Sequence, residues 1–365
     1  MSMSKNFIIG GIQQIGIGVS DLREAWNWYI EMFGIDCPVF REKAEARLMF
    51  PFTGGKIWAR HAVLAYNLQS GGGFEIWQYT NRTPIYPEFQ IEAGNIGIYA
   101  CKIKTKHIDN TYSFFKKKGV ELSGEPSENP AGEKTFFLRD PFGNIFQIVQ
   151  AHDWLLRENK PTGGVYGTIM GVTDIENSKR VYSDILGYDK VKYDVTGIFP
   201  DFSSLPGGQK IFRRVLLRRS IPVTGPFSKL MGVSEIELIS GGNRNERRIY
   251  ENRYWGDPGF IHLCYDIRGM ENLKLYCLKK GFPFVVDSQQ SYNGSSFDMG
   301  EASGHFAYIQ DPDGILIEFV ETHKIPIIKR FGWYLKLHKR KPEKKLPDWI
   351  FRLMRFSKVK RFKDF

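Results

Sequence analysis

The chain repeats itself, and the repeat constrains what it can fold into more than any other feature. Gly18-Val19-Ser20-Asp21-Leu22, with Trp28-Tyr29 and Phe33-Gly34 after it, returns as Gly171-Val172-Thr173-Asp174-Ile175, Val181-Tyr182 and Leu186-Gly187. Lys117-Lys118-Gly119-Val120 returns as Lys279-Lys280-Gly281-Phe282, and Arg139-Asp140-Pro141-Phe142-Gly143 as Gln310-Asp311-Pro312-Asp313-Gly314. Such self-similarity means one supersecondary unit used several times, each burying its apolar face against its neighbours. Four modules result, each predicted to run strand, helix, then further strands.

Local chemistry supports that reading. Asp21 is a helix N-cap candidate, Leu22, Ala25, Trp26, Tyr29 and Phe33 follow at helical spacing, and Gly34 stands where a left-handed C-cap would. In module one, strands are expected at 12–19, around 47–50, at 61–66 and at 73–77. Module two should open with a strand at 95–99, carry a helix near 108–118 and end at 145–148. Module three should open at 166–170 and close at 234–238. Module four should hold strands at 260–265 and 306–319 with a helix near 270–280. In its last hairpin, Asp311-Pro312-Asp313-Gly314, proline presets φ and glycine takes the left-handed position. The Gly-, Pro- and Ser-rich loop 194–208 reads as a flap over a pocket, and 288–304 as a second cover.

His262 and Glu318 lie inside apolar runs. Taken singly they read as a satisfied core histidine and a solvated carboxylate on an open strand face. A carboxylate buried in such a run needs a compensating charge, and a metal ion supplies one.

The strand–Asp–amphipathic helix–Phe/Leu-Gly opening and the Asp-Pro-x-Gly closing hairpin resemble the vicinal oxygen chelate superfamily of glyoxalases, bleomycin resistance proteins and extradiol dioxygenases, over about residues 8–321. The resemblance implies an α+β fold: four βαβββ modules forming two glyoxalase-like domains with cup-shaped mixed β-sheets. The domains expected along the chain are 7–152 and 164–323, joined by a Pro- and Gly-containing linker and followed by a basic amphipathic tail, 324–365.

The same resemblance implies two ligand positions per module, on its first and last strands. These are Gln14 and Glu75, Asn95 and Gln147, Gly167 and Glu237, and His262 and Glu318. Pairing module one with module four puts Gln14, Glu75, His262 and Glu318 in one cup, similar to the ligand set of eukaryotic glyoxalase I. Pairing neighbours instead would group Glu237 with His262 and Glu318. The first pairing is preferred because it gathers the good ligands. It predicts that Glu75 is essential and Glu237 dispensable.

One imidazole and three oxygen donors suit one divalent ion: zinc, nickel, cobalt, manganese or iron. The implied function is an enzyme, a lyase, isomerase or epimerase acting through a metal-stabilised enediolate on a small vicinal-oxygen substrate. Glu318 and Glu75 are its catalytic candidates. The alternatives are an iron(II) extradiol-type dioxygenase and a non-catalytic small-molecule binder of the bleomycin-resistance type. Gly18 and Pro258 stand where glyoxalase I would hold glutathione with Arg or Lys, which argues against that thiol.

Charge divides the chain. Residues 324–365 hold 15 of the 51 Lys and Arg and three of the 40 acidic residues, so the body is near neutral and the tail carries the net +11. Trp333, Tyr334, Leu337, Leu346, Trp349, Ile350, Leu353 and Met354 alternate with these charges at near-helical spacing. The tail is expected to form one or two basic helices, lying on an anionic membrane surface or packed on the body. Nucleic acid is not expected, because no base-reading motif accompanies the charge. Cys37, Cys101, Cys264 and Cys277 lack metal or redox spacing, and no signal peptide or transmembrane run is read. A cytoplasmic protein, peripheral to the membrane at most, is the expectation.

Overall fold

The computed structural model describes residues 6–241, 246–291, 297–299, 302–328 and 333–362. Module one comprises β1 (Ile8–Gly18), α1 (Leu22–Phe33), β2 (Cys37–Glu45), β3 (Ala59–Tyr66) and β4 (Gly73–Tyr79). Module two comprises β5 (Gly97–Thr105), α2 (Ile108–Lys117), β6 (Glu121–Glu128), β7 (Lys134–Arg139) and β8 (Ile145–Gln150). Module three runs through β9 (Val165–Gly171), α3 (Ile175–Tyr182), β10 (Lys190–Gly197), β11 (Phe212–Arg218), a short α4 (Ser228–Met231) and β12 (Glu235–Ser240). Module four has β13 (Gly259–Arg268), α5 (Met270–Lys280), β14 (Val286–Asp287), α6 (Ser288–Ser291), β15 (Phe297–Met299), β16 (Ala302–Gln310) and β17 (Leu316–Ile328). The tail adds β18 (Trp333–Lys336) and α7 (Asp348–Leu353).

The helix signals act as expected. Asp21 accepts from the Glu24 N–H at 2.9 Å, and Gly34 closes α1 at φ 63° with its N–H on the Ile30 carbonyl. Asp174 caps α3 in the same way, accepting from the Asn177 N–H at 3.0 Å. Where 47–50 was expected as a strand, a 3-10 helix runs from Arg47 to Phe52 around Pro51. Proline has no N–H to give a sheet ladder, and the unpredicted β2 takes that place at the sheet edge.

Two mixed sheets form the frame. The first has the order β14-β16-β17-β13-β1-β4-β3-β2, and the second β10-β11-β12-β9-β5-β8-β7-β6. Each is built from two modules joined antiparallel at their first strands, β1 on β13 and β5 on β9. Module one thus completes module four, and module two completes module three. Each sheet therefore takes one module from 7–152 and one from 164–323, the stretches expected as domains.

The repeated hairpins tie chain neighbours together instead. Tyr29 of α1 donates to Asp140 at 2.7 Å, and Tyr182 of α3 donates to Asp311 at 2.9 Å. The other oxygen of each aspartate accepts backbone N–H groups of its own turn, those of Phe142 and Asn144 or of Asp313 and Ile315. One motif therefore shapes a turn and docks the helix of the preceding module, while the sheets join modules that are distant in sequence.

The tail departs from the expected helices. Residues 333–336 are a strand on β17, and Leu337 begins a 3-10 turn. Leu337, Leu346, Ile350 and Phe351 are buried against Cys37, Leu64, Tyr66 and Leu230 of the body. Ion pairs from Arg355 and Lys358 to Glu158 pin the segment down, as does the Val359 N–H on the Asp36 carbonyl at 2.9 Å. All four cysteines are buried thiols, and no described helix is long and apolar enough to cross a membrane.

Candidate metal centre

The first sheet brings four polar side chains to one point on its concave face. Gln14 comes from β1, Glu75 from β4, His262 from β13 and Glu318 from β17. Register explains the meeting: Glu75 pairs with Gly16, two residues past Gln14, and Glu318 pairs with Cys264, two past His262. Side chains at i and i+2 share a face of a strand, so all four point the same way. Gly16 is needed here. Its antiparallel partner is His262, and a Cβ on Gly16 would lie 2.5 Å from the imidazole Cε1.

The group is tight and withdrawn from solvent, with Gln14 3%, Glu75 8%, Glu318 6% and His262 0% exposed. His262 Nε2 lies 3.2 Å from an oxygen of Glu75 and 3.2 Å from one of Glu318. Gln14 Nε2 donates to the same two oxygens, each at 3.3 Å. Neither ring nitrogen of His262 has hydrogen-bonding geometry to a partner, and Gln14 Oε1 is buried without one. Ligand atoms of Glu75, His262 and Glu318 all lie within 4.8 Å of one another. Two carboxylates, an imidazole with an unused nitrogen and an unsatisfied amide oxygen, which a turn of the Gln14 amide would bring inward, fit a divalent cation.

Without an ion the imidazole carries the compensating charge. Burial pulls the His262 pKa down, but Glu318 and then Glu75 outweigh it and lift it to about 9. Burial pushes the Glu75 carboxyl up, and the contact with His262 more than offsets this, leaving it below the usual value. Trp255 stacks on His262 at 6.0 Å between centroids and 14° between planes, and Tyr308 meets its edge at 5.6 Å. Neither aromatic residue was singled out from the sequence. Tyr308 could have been, since it faces Glu318 across the hairpin closed by Asp-Pro-Asp-Gly.

The second sheet reproduces the geometry with different chemistry. Gln147 pairs with Lys102, and Glu237 pairs with Ile169. By the same two-residue offset, the matching first-strand positions are Ala100 and Gly167. Asn95, expected as a ligand of module two, precedes β5 and instead bonds the Glu92 N–H at 2.8 Å. Module two lacks the Val-x-Asp mark that set the alignment, which is why its ligand position was misplaced. Glu237 does not join His262 and Glu318. It is buried against Lys102 at 2.8 Å and Arg214 at 2.7 Å, and accepts from Tyr193 at 2.7 Å.

Lys102 also pairs with Glu235 at 2.7 Å, and Arg214 with Asp201 at 2.7 Å. Burial alone would raise the Glu237 pKa, but Arg214 and Lys102 hold it at about 2. Two protein cations therefore supply the positive charge in this cup. The 194–208 segment, expected as a flap, is packed down here: Phe202 is fully buried, with the Arg214 guanidinium 3.7 Å from its ring centroid. Much of the other expected cover, 288–304, lies outside the described residues.

A cavity of about 1130 Å³ opens from Gln14, Glu75 and Glu318 and extends beneath the tail.

Residues 11–148 match the family model described as Glyoxalase/Bleomycin resistance protein/Dioxygenase superfamily. Among solved structures, the chain is similar to a putative dioxygenase from Bacillus subtilis, at 12% identity and a TM-score of 0.53, with 86% of each chain covered. It is also similar to glyoxalase I from Zea mays, at 16% identity and a TM-score of 0.51, covering 85% of this chain and 92% of that one. No curated protein matches. At these identities the likeness is one of fold, and that fold spans both halves of the chain. The family model on residues 11–148 and the likeness of fold across both halves make this chain similar to the glyoxalase/bleomycin resistance protein/dioxygenase superfamily.

Proposed function

We propose that the protein is a metal-dependent proton-transfer enzyme of the lyase, isomerase or epimerase kind, acting on a substrate with two adjacent oxygens. The observation that carries this reading is the convergence of Gln14, Glu75, His262 and Glu318, from four strands of two modules, on one buried point. A bound divalent ion would supply Lewis acidity, polarising a substrate carbonyl. Gln14 and His262 have no proton to exchange usefully while serving as ligands, so they hold. Glu318 is the base for the carbon beside the carbonyl, and Glu75, across the same point, returns the proton. Trp255 and Tyr308 wall the site and keep bulk water from competing. The dioxygenase reading drew on a cup made by neighbouring modules, and the sheets pair modules differently.

The full-length protein, purified without added metal and then titrated, is expected to hold about one divalent ion per chain by elemental analysis, since the second cup is occupied by Lys102 and Arg214. Two tightly held ions, or none, would overturn the proposal. With metal bound, a panel of α-hydroxycarbonyl compounds in heavy water should gain deuterium at the carbon beside the carbonyl. Oxygen consumption with catechols would favour the dioxygenase.

The tail carries a second proposal, contact with an anionic membrane surface. Trp349, Leu353 and Phe356 are spaced on the face of the α7 segment opposite the buried Ile350 and Phe351, and they are 52%, 39% and 88% exposed. Arg352, Arg355 and Lys360 flank them. Apolar insertion beside basic side chains is how a helix lies in a lipid interface. Replacing Trp349 and Phe356 together by serine should cut sedimentation with phosphatidylserine vesicles at least tenfold and leave metal content unchanged. Undiminished sedimentation of the double variant would refute the contact.

A further inference from the structure

The cavity is too large and too apolar for a small polar substrate alone. At about 1130 Å³ it lies above the range of roughly 300–1,000 Å³ of ordinary small-molecule sites. One end is the four-residue centre. From there it runs along Val39 and Leu64 of the β2–β3 edge and past Phe306, to a roof made by Phe351, Met354 and Phe362 of the tail. Away from the centre, its charged lining is gathered on one side, from Arg41 to Arg47 and at Arg60 and His61 of β3. A polar group placed against the remaining wall, at Val39, Leu64, Phe306, Phe351 and Met354, would meet side chains without hydrogen-bonding atoms for it, at a cost of several kcal/mol.

The roof is part of the construction. Phe362 packs on Trp26 at 5.9 Å and lies under the Arg41 guanidinium at 4.2 Å, and Leu346 donates its N–H to the Pro226 carbonyl at 2.9 Å. The tail thus closes the cup with apolar side chains over the centre, and creates apolar volume that the reacting end of a vicinal-oxygen substrate does not need.

We infer that the substrate is an amphiphile, with adjacent oxygens at one end and a long alkyl chain or fused-ring body that fills the space between the sheet and the C-terminal roof. The inference rests on the proposed metal centre for the position of the oxygens. It rests on the cavity alone for the apolar body.

The test uses the full chain and a homologous series of 2-hydroxycarboxylic acids, from lactate to 2-hydroxyhexadecanoate, below their micelle concentrations. Binding is followed by titration calorimetry on metal-loaded and chelator-treated protein, with metal content measured on the same samples. Affinity should rise roughly fourfold for each added methylene until the cavity is full, the gain expected from burying a CH₂ group. Val39→Trp should abolish the gain for the long acids and leave lactate unaffected. If that variant does not fold, Leu48→Trp on the 3-10 helix narrows the same wall. Affinity independent of chain length, or a chain-length gain that neither variant alters, overturns the inference. A gain that persists without metal in a protein that takes up no ion refutes the metal centre and leaves the substrate class standing.

Discussion

Glu75→Ala should cost the protein its metal, and Glu237→Ala should cost it stability. The two carboxylates occupy the same position in their modules, on a last strand opposite the first, yet the structure gives them different charges to balance. Glu75 shares its point with an imidazole, an amide and Glu318, none a permanent cation. If each of four ligands contributes comparably to the roughly 10–16 kcal/mol typical of a structural zinc site, losing one weakens binding at least about 100-fold. Glu237 holds two permanent cations, Lys102 and Arg214, both fully buried. Removing it takes away the partner they share and leaves Lys102 to Glu235 and Arg214 to Asp201, and breaking a buried ion pair from one side costs about 3–5 kcal/mol. From the sequence, Glu237→Ala was expected to be nearly silent. The buried network changes that expectation for folding and leaves it in place for metal. Elemental analysis and urea unfolding of the two variants read both effects. A Glu237→Ala protein that folds but has lost its metal, beside a metal-bearing Glu75→Ala, would refute the assignment of the centre to the first sheet.

Metal affinity should climb about tenfold per pH unit between pH 6.5 and 8.5, flattening near pH 9, because the ion must displace the proton that His262 holds in the metal-free site up to about 9. Stability of the chelator-treated protein should move the opposite way. A histidine whose folded pKa is raised above its unfolded value stabilises fully below the unfolded value, about 6.5, and loses that contribution as pH rises through the folded one. Glu75 adds the complementary limb: its lowered pKa gives stability above its unfolded value that is lost on acidification. Metal-free protein should therefore be most stable from about pH 5 to 6.5 and weaken toward pH 9, while added metal restores the alkaline side. Thermal unfolding across pH with and without one equivalent of metal tests this. Equal pH profiles for the two forms would show that the ion does not compete for His262.

Much of this was legible in the sequence because the signals are local. Asp21 and Gly34 delimit α1 by capping a few backbone groups within a turn of the chain. Asp-Pro-x-Gly sets a hairpin within four residues, and its recurrence exposed the four modules. His262 and Glu318 stood out because charge in an apolar strand needs an answer. The grouping of Gln14, Glu75, His262 and Glu318 followed once module one was matched to module four, since the strands with the better donors had to share one cup.

Tertiary structure decided what depends on partners far along the chain. Only register shows that Ala100, and not Asn95, is the first-strand position of module two, because the bulged β5–β9 ladder has no sequence mark. That Lys102 and Arg214 would fold inward to neutralise Glu237 cannot be read from residues whose usual place is the surface. The tail is the clearest case. Its apolar spacing suggested helices, yet 333–336 pairs with the free edge of β17, and the later apolar residues find a cup mouth more than 250 positions upstream. Local periodicity says that a segment has an apolar face. What that face covers is settled by the free energy of burying it against surface that exists only once the two sheets have formed.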